Sequence, residues 1–506
     1  MVVRQICTNT IKKFIEKVNQ VEIRLPNRLF PLNKNQNFAA YYNQPFMKDF
    51  TEGKVAKLIF NFSVPLLLGN VFQSLYSIVD SIIVGRYLGA KALAAVGASY
   101  PIIFFIIALV IGIGGGGSIV IAQYFGAKQY DKVKRTADTI NIFLLIAGLI
   151  VAVSGLFLAK PILRLIQLPE ELLDDAALFL KIYLGGMIAF FGFNGVISTL
   201  RGVGDSKTPL YFLIVSTIAN IFLDLLFIGV FHWGIAGAAW ATLLAQLGTF
   251  ISAIVYINRT HKIFRFAIKG MTFDREIFRQ CIKIGLPSGF QQTFVALGMT
   301  ALMGIVNTFG TNVIAAYSTA SRIDSLAMMP AMNFSVALST FVGQNIVQRK
   351  MDRIRQGLHA TLIMSMIITV LVTLMIVIFG NHMMRLFTTN PEVIATGSEY
   401  LTIVSLFYWM FTIMFVVNGL LRGAGATMVP MLTTLVSLWA VRVPVAFFLS
   451  KTIGEDGIWW SIPIGWVFGM IGAYAYYRTG KWRNKTVFHR SRLTPSEEAM
   501  IGEIEI

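Results

Sequence analysis

Two aspartates stand inside long apolar stretches, each with a polar residue four positions earlier on the chain. Tyr76 precedes Asp80, and Asn220 precedes Asp224. Residues at i and i+4 share one face of a helix, so each carboxyl group has a hydroxyl or amide neighbour. A charge inside a bilayer costs about 2.5–3.5 kcal/mol on insertion scales, which favours a functional reason for it. The pairs could hold a proton or a sodium ion. Alternatively, each carboxylate satisfies a polar group of a neighbouring helix.

The second half of the chain has three further charges within apolar stretches, Arg322, Asp324 and Arg442. Arg322 and Asp324 are two positions apart, so they point in different directions on a helix and are not expected to pair. Arg442 could snorkel, balance a substrate charge or hold the structure together, and we rank the structural role first. These three residues are candidate polar or substrate contacts.

Five methionines cluster in the same half of the chain. Their flexible thioether side chains suit a pocket that accepts many apolar shapes, and Met299 and Met303 are the candidate substrate contacts. Lipid-facing positions or ordinary packing are the more common explanation of such a cluster. The five are Met299, Met303, Met328, Met329 and Met332.

The composition excludes a soluble fold. Hydrophobic residues make up 56% of the 506 residues, charged residues only 13%, and the mean hydropathy is +0.68. The formal net charge of +18 is typical of basic loops in a membrane protein and does not indicate nucleic-acid binding. Two cysteines, Cys7 and Cys281, have neither the number nor the spacing of a disulfide framework or metal site.

Twelve apolar stretches are each long enough for the roughly 20 residues that a helical bilayer crossing requires. The sequence therefore predicts an all-α polytopic membrane protein with twelve transmembrane helices. The predicted spans 1 to 12 are residues 57–84, 92–123, 133–159, 177–200, 209–231, 234–257, 279–308, 313–343, 356–380, 396–420, 428–450 and 457–477.

Residues from about 88 to 209 recur in register 221 positions later. The run Leu200-Arg201-Gly202-x-Gly204 returns as Leu421-Arg422-Gly423-x-Gly425, and Gln123 returns as Gln344. Six spans per copy is an even number, so both copies enter the membrane from the same side. The prediction is two six-helix lobes related by a pseudo-twofold axis along the membrane normal, which is typical of secondary transporters.

These boundaries divide the chain into a polar amino-terminal arm, two lobes joined by a linker, and a polar tail. The arm is either a genuine cytoplasmic segment or the product of an upstream start codon, and we favour a true start near Met47. The segments are residues 1–50, 51–258, 259–278, 279–478 and 479–506.

Basic residues are distributed unevenly between the loops. Loops after even-numbered spans carry 18 Lys and Arg, and those after odd-numbered spans carry 7. Because cytoplasmic loops carry the excess of positive charge, the even loops and both termini are predicted to be cytoplasmic. The expected location is the plasma membrane, here a bacterial inner membrane.

Prolines and glycines within the spans are expected to affect how the helices bend and pack. Pro65 and Pro287 lie at equivalent places in spans 1 and 7, where each is expected to kink its helix, as a hinge or as a static bend. Gly112 and the run 114–117 lack the Lys-Ser/Thr of a phosphate-binding loop, so close helix packing is expected there.

With these motifs the chain resembles the multidrug and toxic compound extrusion (MATE) family, over about residues 55 to 478. The motifs that carry the resemblance are Pro65 to Asp80 with Val84-Gly85-Arg86-Tyr87-Leu88-Gly89, Leu200-Arg201-Gly202-x-Gly204-Asp205 with Pro209, Asn220-x-x-x-Asp224, and Gly343-Gln344-Asn345.

Within that family the chain is similar to the DinF-type branch, in which a polar cluster of the first lobe is held responsible for ion coupling. The resemblance implies a cation-coupled antiporter, driven by protons or by sodium, with Na⁺ at Asp80, Asn220, Asp224 and Thr242, and with Pro65 as the bending proline. The NorM-type branch has acids in the first and fourth helices of the second lobe, and residues 289–299 and 408–421 contain none. The implied coupling residues are Tyr76, Asp80, Asn194, Asn220, Asp224 and Thr242.

The expected substrates are cationic or amphipathic drugs and toxic metabolites, exported by alternating access. No ATP-binding motif is visible, so an ion gradient must supply the energy, and we expect no enzymatic activity, no cofactor and no structural metal. The expected partners are membrane lipid, small molecules and H⁺ or Na⁺, with no nucleic acid, and the protein is expected to function as a monomer.

Two alternative functions remain. One is a lipid-linked precursor flippase of the same superfamily. The other is a channel or membrane scaffold, and a steady ion current in a planar bilayer would support it.

The first testable prediction is the orientation. A reporter that is active only in the cytoplasm should work when fused within residues 259–269 or at the carboxyl terminus. It should be silent after Glu170 or Glu455. The opposite pattern of activity would reverse the predicted orientation.

Overall fold

The computed structural model describes residues 47–260, 266 and 270–487, and within those ranges the regular secondary structure is entirely helical. The α-helices are α1 Val55–Gly126, α2 Tyr130–Leu165, α3 Glu170–Gly185, α4 Met187–Gly202, α5 Lys207–Asp224, α6 Gly234–Thr260, α7 Arg275–Val306, α8 Thr311–Ile346, α9 Met351–Arg385, α10 Pro391–Ser405, α11 Tyr408–Gly423, α12 Met428–Leu435, α13 Val443–Ile453 and α14 Asp456–Arg478. Two π-helices, Leu225–Val230 and Val436–Arg442, and two 3₁₀ turns, Asn307–Phe309 and Lys481–Asn484, complete the set.

Helix α1 holds the first two predicted spans. Its 72 residues would be roughly 100 Å long at 1.5 Å per residue, whereas the hydrocarbon core of a bilayer is about 30 Å thick. Gly89 interrupts it with non-helical dihedral angles, φ 81° and ψ −178°. In the second copy, Gly310 has nearly the same angles, φ 90° and ψ 175°, between α7 and α8. A glycine in this conformation therefore turns the chain between spans 1 and 2 and again between spans 7 and 8.

Two other spans are built from bent pairs of helices. Helices α3 and α4 meet at 43°, and α10 and α11 meet at 51°. With each pair taken as one crossing, the described residues hold up to eleven crossing elements. Because α1 is long enough to cross twice, the architecture is consistent with the twelve predicted spans in two lobes.

Apolar side chains also cover the outside of the bundle. Phe157, Leu165, Ile378 and Phe448 are 74%, 82%, 64% and 66% exposed. In water such a surface would aggregate, whereas in a membrane it is solvated by lipid tails.

The first halves of spans 1 and 7 pack into the core of the opposite lobe. Ile59 and Phe62 of span 1 are buried in one cluster with Phe341 of α8. In the reverse direction, Cys281 and Ile284 of span 7 are buried in the first-lobe cluster. The second halves return to their own lobes, with Val84 in the first-lobe cluster and Leu302 in the second-lobe cluster. We refer to the first halves, residues 55–66 and 277–284, as the exchanged segments.

Glycines bring span 2 and span 7 into backbone contact. A Cβ on Gly112 would lie 2.3 Å from the Cα of Gly289, and a Cβ on Gly116 would lie 2.5 Å from the Cα of Gly285. The expected close packing at this glycine run is present, since only residues without side chains permit such an approach.

Two equivalent glutamines connect the lobes at the end of the bundle where Lys48 and Val487 lie, here called the terminal end. Gln123 Nε2 donates to the carbonyl of Gly423 at 3.0 Å. Gln344 Nε2 donates to the carbonyl of Gly202 at 3.2 Å. Each glutamine therefore reaches the Leu-Arg-Gly motif of the other lobe.

Each glutamine also binds a terminal segment of the chain through its side-chain oxygen. Phe50 N donates to Gln344 Oε1 at 2.8 Å, and Val487 N donates to Gln123 Oε1 at 2.8 Å. The second glycine of each motif adjoins the same segments. A Cβ on Gly204 would lie 2.5 Å from the carbonyl oxygen of Lys48, and a Cβ on Gly425 would lie 2.5 Å from that of Lys485. We call these two glutamines with their partners the glutamine bridges, and they follow the pseudo-twofold symmetry of the repeat.

Pro65 is buried within α1, and the helical dihedral angles continue through it. Pro287 is likewise buried within α7. Both prolines lie at the ends of the exchanged segments. Their action as hinges stays a prediction.

The glutamine bridges should stabilise this arrangement of the lobes. Gln123→Leu/Gln344→Leu leaves buried backbone groups without partners, each at a cost of about 1–3 kcal/mol. We expect a lower melting temperature of the purified protein than after Gln356→Leu, which changes an exposed glutamine of α9. Equal melting temperatures of the two variants would show that the bridges do not stabilise this state.

Candidate functional site

The two aspartates predicted from sequence meet in the first lobe. Asp80 comes from span 1 and is half-buried, and Asp224 ends α5 and is completely buried. Their carboxyl groups lie within hydrogen-bonding reach of each other. Two carboxylates in contact away from water are stable only with a proton or a cation between them. The structure therefore brings the two predicted acids together, and their binding of an ion stays a prediction.

Neutral oxygen and nitrogen atoms surround this acid pair. With the Asn220 amide oriented to match its neighbours, Nδ2 donates to Asp224 Oδ2 at 2.8 Å and Oδ1 accepts from Thr242 N at 3.1 Å. The Tyr76 hydroxyl lies 3.5 Å from Thr242 Oγ1, which also donates to the Ala238 carbonyl at 3.1 Å. The structure thus brings together five of the six predicted coupling residues.

Asn194, the sixth predicted residue, is engaged with its own helix. Its Nδ2 donates to the carbonyl of Phe190 at 2.8 Å, one turn earlier in α4. The structure shows it half-buried, with its amide group used for this local bond. A role in coupling stays a prediction for this residue.

Three features of the first-lobe site were not predicted from sequence. Asp224 Oδ1 is buried without a hydrogen-bond partner, and the π-helix Leu225–Val230 begins at the next residue. π-Helices are rare and are frequent at functional sites. The Tyr183 side chain lies near Gln246 and Asp80. Polar residues in the apolar spans 4 and 6 were the available signal for that pair, whereas the sequence holds no signal for the π-helix.

The second lobe contains a cavity of about 440 Å³. Asp324 of α8 lines it, with both carboxylate oxygens accepting hydrogen bonds from tyrosines. The Tyr400 hydroxyl donates to Oδ2 at 3.3 Å, and the Tyr408 hydroxyl donates to Oδ1 at 2.5 Å. These tyrosines come from the two sides of the bend between α10 and α11, so the bend positions both donors.

The other second-lobe candidates divide between this cavity and the surface. Arg442, the last residue of the second π-helix, lines the cavity together with Met299 and Met303. Arg322 is exposed and is not among the lining residues. Of the remaining clustered methionines, Met328 lines the cavity and Met329 and Met332 do not.

The charges of the two lobes are arranged differently. The first lobe places two acids next to each other, whereas the second lobe holds one acid and one guanidinium around an open space. Among the side chains with described positions, no cluster of three or more His, Cys, Asp or Glu residues could hold a metal ion. A small monovalent ion would depend on the two carboxylates and their neutral neighbours.

Comparisons with known proteins agree with this architecture. The MatE family model matches residues 65–226 and again residues 287–448. The two matches fall in the first and second lobes and so follow the internal repeat.

Similar sequences cover nearly the whole chain. A protein named "Probable multidrug resistance protein YpnP" from Bacillus subtilis (strain 168) is 34% identical over 443 residues, which is 87% of this chain and 98% of the relative. "Probable multidrug resistance protein NorM" from Thermotoga maritima is 27% identical over 448 residues, which is 87% of this chain and 96% of the relative.

Solved structures show the same fold. One titled "Outward-facing conformation of a multidrug resistance MATE family transporter of the MOP superfamily" has a TM-score of 0.81 and 25% identity, covering 85% of this chain and 97% of its own. Another, titled "Crystal structure of MATE in the bent conformation", has a TM-score of 0.79 and 25% identity, covering 90% of this chain and 98% of its own. The internal repeat, the two-lobed helical fold and both family matches lead to one conclusion: this chain belongs to the MatE family of membrane transporters.

Proposed function

We propose that the protein is a cation-coupled antiporter that exports cationic or amphipathic compounds, including drugs and toxic metabolites. The observation that carries the proposal is the contact between the Asp80 and Asp224 carboxyl groups inside the first lobe. An ion-binding pair in a membrane transporter provides a means of using an ion gradient. The multidrug names of similar proteins support the substrate class.

Coupling requires that the ion and the exported compound favour different states. In our proposal the ion enters from outside and binds the acid pair, and the ion-bound state has lost affinity for the compound. Alternating access then follows from rocking of the two lobes against each other. Since the glutamine bridges join the lobes at the terminal end, and both termini are proposed to be cytoplasmic, we infer that this arrangement is open to the outside. The location is proposed to be the bacterial inner membrane.

The acid pair could accept either ion. A proton needs only the two carboxylates, whereas a dehydrated sodium ion needs several oxygen ligands. Asn220 Oδ1, which accepts from Thr242 N, and Thr242 Oγ1 are the neutral oxygens nearest to the pair. We propose proton coupling, with sodium as the alternative ion. The flippase alternative is not favoured by the similar proteins, whose names refer to multidrug resistance.

The acid pair can be tested directly. Asp80→Asn and Asp224→Asn each remove a titratable charge while nearly conserving volume, so folding should survive. Efflux of a cationic dye from proteoliposomes, driven by a pH gradient, should fall at least about tenfold, as expected from losing 1–3 kcal/mol of coupling. Asp352→Asn is the control, because that side chain is 90% exposed. Full efflux by the Asp80→Asn/Asp224→Asn double variant would exclude this site from coupling.

The identity of the ion can be tested at Thr242 and Asn220. Both Thr242→Ala and Asn220→Ala remove a neutral oxygen that sodium needs and a proton does not, so sodium-driven efflux should fall more than pH-driven efflux. Thr242→Val is the cleaner test, because Asn220 also donates to Asp224 and its removal disturbs the carboxylate. Efflux under each gradient alone measures the difference. Equal losses under both gradients would exclude a sodium-specific role for Thr242.

A further inference from the structure

The cavity of the second lobe contains an arginine without a protein partner. No hydrogen bond or ion pair involves the Arg442 guanidinium among the described residues, and its Nε is buried without a partner. An arginine stays protonated in proteins and presents five N–H donors. Its charge next to an apolar space is costly unless something pairs with it.

Asp324 attracts this guanidinium across the cavity but does not hydrogen-bond to it. Its two carboxylate oxygens accept the hydroxyl groups of Tyr400 and Tyr408, and it forms no ion pair with Arg442. The two charges face the same cavity from α8 and from the second π-helix. The cavity therefore has one negative group that is already hydrogen-bonded and one positive group that is free to bind.

Several other polar groups of the cavity are paired within the protein. Gln291 Nε2 donates to Thr434 Oγ1 at 2.7 Å, and Ser437 Oγ donates to the carbonyl of Gly465 at 2.6 Å. Much of the remaining wall is apolar and includes Met299, Met303, Phe411, Met414 and Trp466. Arg442 is thus the lining group with the largest unused capacity for hydrogen bonding.

This lining determines the chemistry of a matching ligand. A carboxylate accepts two parallel N–H bonds from a guanidinium, and such charge-assisted bonds are the stronger ones in proteins. The flexible methionines and the aromatic rings suit an apolar body of variable shape. The cavity volume of about 440 Å³ lies within the usual range of small-molecule sites.

We propose that the second-lobe cavity binds amphipathic molecules that carry a carboxylate, with the carboxylate paired to Arg442 and the apolar body on the methionine and aromatic wall. Asp324 adds a negative charge to the same cavity, so a ligand that also carries a positive group keeps the site closest to neutral. The inference deepens the proposed export function by naming a substrate class that includes acids and zwitterions. Binding at equilibrium does not depend on the acid pair of the first lobe.

The test compares two probes that differ in one charge. Dansylglycine carries a carboxylate, and dansylglycinamide is its neutral analogue. Their fluorescence is titrated, without any ion gradient, against the purified full chain in nanodiscs of phosphatidylcholine, with empty nanodiscs as the background. The protein should bind dansylglycine at least about tenfold more tightly than the amide, as one charge-assisted contact of about 1.5–3 kcal/mol predicts.

Variants assign this preference to Arg442. Arg442→Gln should remove the tenfold preference and leave amide binding unchanged, whereas Arg442→Lys should retain part of it as a point charge without the planar fork. Arg385→Gln, which changes an exposed arginine at the end of α9, is the matched control and should bind both probes like the unchanged protein. Melting temperatures verify that each variant is folded.

Several results would overturn the proposal. With the unchanged protein, these are equal affinity for the two probes or no binding of dansylglycine. With folded Arg442→Gln, they are an unchanged preference for dansylglycine or an equal loss of affinity for both probes. The last result would indicate a structural role for Arg442. Displacement of dansylglycine by added phosphatidylglycerol would instead assign Arg442 to a lipid headgroup. A failure of dye efflux in the Asp80 variants would leave all of these binding results unaffected.

Discussion

Hydrogen bonds made by two glutamines hold the lobes together at the terminal end. Gln123 and Gln344 each bind the carbonyl of a glycine in the opposite lobe and the backbone N–H of a terminal segment. An apolar bundle in lipid gains little from hydrophobic contact between helices, so specific polar contacts and close packing determine how its parts meet. The backbone contacts at Gly112 and Gly116 depend on the same closed arrangement.

The duplication left two lobes with the same helices and different chemistry. The first lobe combines two acids with an amide and a hydroxyl, which suits a small cation. The second lobe combines an arginine and a tyrosine-bound acid around an apolar cavity, which suits a larger molecule. In both lobes a π-helix adjoins the charged residue, Asp224 in one and Arg442 in the other. A π-helix holds an extra residue per turn. It therefore changes the direction in which nearby side chains point, compared with a regular α-helix.

Much of this organisation could be predicted from sequence. The spans follow from hydropathy, and the symmetry follows from the repeat of Gln123 and the Leu-Arg-Gly motif. The spacing of Asn220 and Asp224 placed these side chains on one face, where they are hydrogen-bonded.

Other features depend on contacts between distant parts of the chain and left no local pattern. The tyrosines that bind Asp324 lie 76 and 84 residues away, across a helix bend. Arg322 is exposed and Asp324 lines the cavity because of how α8 is rotated against its neighbours, and hydropathy alone does not determine that rotation. The exchanged segments could not be predicted from sequence either, because the apolar residues of spans 1 and 7 would fit the core of either lobe.

The exchanged segments limit how the lobes can move. Span 1 belongs to the second lobe up to about Phe62 and to the first lobe from about Val84, and span 7 does the reverse from Cys281 to Leu302. Each lobe therefore holds part of a helix from the other lobe. Neither lobe can rotate as an independent rigid body unless spans 1 and 7 bend. Pro65 and Pro287 lie near the ends of the exchanged segments, and each proline removes one backbone hydrogen bond from its helix. Opening of the terminal end would require spans 1 and 7 to bend together. The two spans thus form a mechanical linkage between the halves of the duplicated chain.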